Sequence, residues 1–204
     1  MKNMKKILVL ALAALLLVAV GVGGTLAWLT ATSGPVTNTF TPATISVNID
    51  EHKYNKATNS LDETVPPVNG NNDYMMVPGR DIKKDPMVDA SSDVDFYVFV
   101  TVEKENWPTY LTYEIDGTNW EQVSGENDVY YYKKNITADV NGKYSITDVH
   151  VLKDDKVHVA DTLKAEDMVG EAPQLIFNAY AIQKEGTGTA AEAWAKAKPT
   201  TTNP

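Results

Sequence analysis

Three histidines, His52, His150 and His158, are the first residues to test for chemistry, because a catalytic zinc wants imidazole ligands. A zinc peptidase needs two of them one helical turn apart with a glutamate between, and no His-Glu-x-x-His occurs. His150 and His158 flank Lys153–Lys156, which reads as a hairpin with a two-residue turn at Asp154-Asp155. That register puts the two imidazoles on opposite faces, whereas a three-residue loop would put them on the same one. No Gly-x-Ser-x-Gly elbow supports a serine hydrolase. Acid pairs such as Glu114 with Asp116, or Glu166 with Asp167, suit a solvated surface as well as glycoside chemistry. Oxygen-rich clusters suggest calcium, with Asn71, Asp73, Asp93 and Asp95 as weak ligand candidates, but the twelve-residue loop ending in glutamate is missing. The Val129-Tyr130-Tyr131-Tyr132 run offers either a sugar-stacking platform or ordinary packing, and tyrosine suits half-buried strands. The expectation is no catalytic residue, no cofactor and no resident metal.

These residues need strands to position them. Ala43–Asp50 alternates with Ile45, Val47 and Ile49 on one face. Val94–Val102 is apolar or aromatic on both faces at its centre, which predicts a central strand buried on two sides. Further strands are predicted at Tyr110–Ile115, Trp120–Ser124, Val129–Lys134, Lys143–Val151, Lys156–Ala160 and Leu175–Gln183, separated by turn dipeptides such as Asp116-Gly117 and Asn141-Gly142. Glu51–Asn72, rich in Asn, Asp and Pro, reads as a long loop. Thr189-Ala190-Ala191-Glu192 has capping-box form and opens a short helix from Ala190 to Lys198 that Pro199 stops, with Trp194 as its large anchor. The pattern predicts an all-β chain, an antiparallel sandwich or jelly roll over 43–186 with a short C-terminal helix, preceded by an N-terminal signal helix.

That signal is written in the first residues. Lys2, Lys5 and Lys6 precede an uncharged apolar run, Ile7–Val22, and then Gly23-Gly24-Thr25-Leu26-Ala27. Thr25 and Ala27 supply the small side chains a signal peptidase requires, with the cut before Trp28. The alternative is an uncleaved anchor, although the apolar run is shorter than the roughly 20 residues a spanning helix uses. Removing 1–27 takes out three lysines and no acid, so the net charge goes from −9 to −12. Such a surface repels nucleic acid and anionic lipid. The chain has no cysteine, which excludes disulfides.

Gly23, Gly24, Thr25 and Ala27, then Leu29-Thr30, Asn38-Thr39-Phe40 and the alternating Ile45, Val47 and Ile49, resemble the TasA/camelysin group of secreted proteins. So does Val77-Pro78-Gly79 before Lys83-Lys84-Asp85-Pro86 and Tyr97–Val100; Ser124–Asp155 shows no such likeness. The resemblance implies a leader cut by a SipW-type signal peptidase, a jelly-roll-like sandwich, and extracellular fibres of a biofilm-type matrix. Some camelysin relatives are described as metalloproteases, which the missing zinc motif speaks against. After cleavage, 28–42 is a free, uncharged segment with Trp28, Leu29, Val36 and Phe40 as apolar anchors, a candidate donor strand for the sheet edge of a second copy. Expected partners are therefore other copies or related matrix subunits, and signal peptidase during export. Nucleic acid is not expected, and a membrane only through an uncleaved leader. The competing expectations are a secreted module that binds a glycan or protein, and, further off, a secreted hydrolase.

Overall fold

A computed structural model describes residues 42–167 and 170–197. The leader, its cleavage residues Thr25, Ala27 and Trp28, and the anchors Trp28, Leu29, Val36 and Phe40 lie outside the described residues. Among those described, no helix is long and apolar enough to cross a membrane.

The chain is an antiparallel β sandwich. One layer has the order β1 (Ile45–Asp50), β5 (Met87–Ser92), β10 (Tyr144–His150). The facing layer has the order β12 (Gln174–Gln183), β6 (Phe96–Glu105), β9 (Val129–Tyr132), β8 (Trp120–Gln122). A third sheet, β4 (Asp81–Lys83), β11 (Leu152–Val159), β7 (Leu111–Ile115), and a ribbon, β2 (Lys53–Asn55) with β3 (Ser60–Asp62), complete the strands.

β6 is the central strand its sequence predicts. Phe96, Val98, Val100 and Val102 point into the main core, where Val88 and Ala90 of β5 and Ile146 and Val149 of β10 meet them. On the opposite face Phe99 is equally buried, beneath a helix. That helix, α1 (Ala190–Ala197), starts as predicted. Thr189 Oγ1 accepts the Glu192 N–H at 3.2 Å, and Glu192 reaches back to the Gly188 N–H at 2.7 Å. Trp194, 4% exposed, rests 5.3 Å from the Phe99 ring and 5.4 Å from Tyr180. A second core, with Ile82, Leu111, Leu152, Val157 and Val159, lies under the third sheet.

Three expectations need correction. Glu51–Asn72 is not all loop, for it contains the β2–β3 ribbon. Three-residue strands are too short to show alternation, and buried Tyr54 is the anchor. β4 and β5 go unannounced because β5 carries its buried face on Val88, Ala90 and Ser92, two of them small residues with little strand preference. Lys153–Lys156 is not a hairpin. Asp154 and Asp155 both take left-handed backbone angles (φ 58° and 50°), as a tight turn would require. The chain nonetheless stays in β11, with Leu152 opposite Ile115 and Val157 opposite Tyr113, so these residues form a bulge.

Trp194 is the only large side chain the helix lays on the sheet, so Trp194→Ala should cost roughly 3–5 kcal/mol of stability by emptying that contact. Urea denaturation would measure it, and a loss below about 1 kcal/mol would mean the helix is dispensable to the sandwich.

Candidate functional site

Sheet order determines where the fold is open. β1 and β12 each end a sheet, and they run alongside one another. Among the described residues, β1 pairs with β5 and β12 with β6, and neither has a strand on its other side. Between them lies a groove of about 810 Å³. Its apolar wall includes Val47, Ile49, Met76, Trp107, Leu175 and Phe177, and its rim carries Asn48, Asn69–Asp73 and Asn178.

The backbone groups on the β1 side can be assigned. Thr44 C=O accepts from Asp93 N–H on the β5 side, whereas Glu51 exchanges both its backbone hydrogen bonds with Val68. Backbone direction alternates along a strand, so Ile45, Val47 and Ile49 direct N–H and C=O into the groove. Segment 68–72 covers part of that edge. Asn69 Nδ2 donates to the Ile49 carbonyl at 3.1 Å, and the Asn72 amide accepts from Tyr54 N–H at 3.0 Å while donating to His52 C=O at 2.9 Å. The Asn69 amide stands in for a peptide group of a neighbouring strand, which blunts the β1 edge, while Asn72 ties down the backbone just beyond it. Among the described residues, no strand pairs with Ile45 or Val47 on the groove side.

The covered end holds a buried polar network. Lys84, 7% exposed, forms an ion pair with Glu51, and the Tyr74 hydroxyl donates to Glu51 at 2.8 Å. Burial, and then the neighbouring Glu51 carboxylate, push the Tyr74 phenol far above its ordinary value, so it remains a neutral donor. Asp85, 3% exposed, accepts from the His52 N–H at 3.1 Å and contacts His52 Nδ1 at 2.6 Å. Burial raises the Asp85 carboxyl, against the lowering effect of those His52 contacts.

The sequence-nominated residues do not assemble into a metal centre. Among the described residues, no group of three or more His, Asp or Glu could hold a metal ion. His52 contacts Asp85, His150 contacts Asp155 and His158 contacts Asp81. Of the calcium candidates, Asp73 pairs with Lys56, Asp93 with Lys143 at 2.8 Å and Asp95 with Lys184 at 2.9 Å, while Asn71 sits on the groove rim. Tyr130 and Tyr132 pack against the main core, and Tyr131 turns to the helix side of the sheet. No sequence motif marks Tyr74 or Lys84 as a site residue. Lys84 did leave a signal, because it shares the period-two face of Ile82 and must follow it inward.

The fold and site together define an all-β sandwich with an open edge groove. No family model, curated protein or solved structure matches the chain.

The Asp93 carboxylate is held well below its ordinary value, first by Lys143 and then by Thr44, whose hydroxyl and N–H both donate to it. A depressed carboxylate contributes stability above its unfolded value, and loses it as pH falls through the folded one. Asp93→Asn should therefore lower the melting temperature at neutral pH, with the gap narrowing once pH drops below the usual carboxylate range. A gap independent of pH would show that the charge is not the cause.

Proposed function

We propose that this chain is a secreted structural protein of the cell surface or an extracellular, biofilm-type matrix. It assembles into fibres, or joins them, by strand addition. Residues 28–41 of one copy enter the groove between β1 and β12 of the next. The observation that carries this reading is the side-by-side placement of two strand edges over an apolar wall. An extended segment laid there gains main-chain hydrogen bonds from β1, and its alternate side chains reach the wall. Trp28, Leu29, Val36 and Phe40 supply apolar side chains for it, and the segment is uncharged. Each copy would offer one segment and one groove, so addition is head-to-tail and does not close on itself. The role is non-enzymatic, with signal peptidase as the partner during export. The acidic surface favours solubility and disfavours nucleic acid.

Electron microscopy of a chain starting at Trp28, beside one starting at Ala43, tests this. Fibres are expected from the first alone. Monomers from both would move the function to a binding module using the same groove. Val47→Pro sharpens the test, because proline removes an N–H that faces the groove and leaves the β1–β5 ladder its donors. It should abolish fibres while the circular dichroism of the monomer is unchanged.

A further inference from the structure

At the covered end of the groove, three side chains converge on one carboxylate. Glu51 Oε1 accepts from Lys84 Nζ. Glu51 Oε2 accepts from the Tyr74 hydroxyl at 2.8 Å and from Asn72 Nδ2 at 3.4 Å. The setting is aromatic, with Lys84 Nζ 5.0 Å from the centre of the Tyr74 ring and 5.3 Å from that of Phe177. The Asn72 amide is fixed in orientation, since Oδ1 accepts from the Tyr54 N–H and Nδ2 donates to His52 C=O.

We infer that Lys84 and Asn72 condense into an intramolecular isopeptide bond, with Glu51 carrying the protons. A buried ion pair gains little net stability, because desolvation offsets the attraction. The reaction begins when one proton moves from the Lys84 ammonium to the Glu51 carboxylate that accepts its hydrogen bond. That frees the Nζ lone pair. That lone pair bonds to Asn72 Cγ, and the charge that develops on Oδ1 meets the Tyr54 N–H already aimed at it. Glu51 gives its proton to Nδ2 and takes one from Nζ. The Cγ–Nδ2 bond breaks, and ammonia leaves. The new amide keeps one proton, ammonia carries away three, and Glu51 retains the last, so charge balances without an oxidant or a co-reactant. Holding nucleophile, electrophile and proton carrier together in a fixed fold is what makes so slow an uncatalysed condensation accessible. The reaction occurs once within each chain and does not depend on assembly, so it stands or falls apart from the fibre reading.

Intact-mass spectrometry of the purified, denatured chain tests it directly. The wild type should be lighter than its sequence by one ammonia, and digestion should yield a branched peptide joining Lys84 to Asn72. Lys84→Arg, Asn72→Ala and Glu51→Gln should each restore the full mass. A wild type of full mass overturns the inference. So does an ammonia loss that persists in Lys84→Arg, which would place it in a succinimide at Asn69-Gly70 or Asn141-Gly142.

Discussion

Everything in this fold follows from how one long antiparallel ribbon turns a corner. β4 and β5 run against β11 and β10 from Asp81 opposite His158 to Ser92 opposite Tyr144. Midway, both strands leave one sheet and enter another. The corner is at Pro86, which has no N–H to give to a ladder and is fully buried. Its carbonyl accepts from Val151, and Lys84 N–H donates to the Asp155 carbonyl, so the two strands stay tied across the bend. The outer strand has further to travel, and the Asp154-Asp155 bulge supplies the extra length. Left-handed backbone there is tolerated because Asp is among the few non-glycine residues that adopt it readily.

The corner decides where the sandwich remains open. Once β5 is flanked by β10 and β1, and β6 by β9 and β12, the sheets end at β1 and β12 on the same side of the core. Proteins usually blunt such edges. Here the blunting is partial: the Asn69 side chain covers the end of β1, and among the described residues no strand pairs with the groove-facing backbone of Ile45 and Val47. The corner also carries Lys84 inward, one step beyond Ile82 on the same face, to meet Glu51. A buried lysine is thus a consequence of the same turn that makes the groove.

Legibility in the sequence tracked the length of alternation. β6 can be read because it offers a long run whose two faces are both apolar or aromatic at the centre, β12 because its run is long and strongly apolar, and α1 because its cap and its tryptophan are local signals. β5 cannot, although it lies between two strands. Its inward positions include Ala90 and Ser92, which are buried because β1 and β10 close over them rather than because they are apolar. The bulge is hidden for a related reason. Two aspartates in left-handed conformation signal a turn, and only the pairing of β11 with β4 and β7 on either side shows that the strand continues. For the site, the sequence marked Asn69–Asp73 as oxygen-rich but not as an edge cover. An amide that replaces a neighbour's peptide group has no pattern until that neighbour's position is known.

The absence of cysteine bears on how such a groove can be kept in shape. Its covered end is built from segment 68–72, a connecting segment held by hydrogen bonds that are each worth about 1 kcal/mol. Connections of that kind open locally at low cost. A chain outside the cytoplasm would ordinarily fasten one with a disulfide, and this chain has no thiol with which to do so. A bond from Lys84 to Asn72 joins the corner of the long ribbon to the segment that covers β1, the two pieces whose separation would widen the groove. By closing a short loop it restrains the unfolded chain as a disulfide does. Unlike a disulfide, it needs no oxidant to form and cannot be reduced, so the groove would keep its shape whatever the redox state of its surroundings.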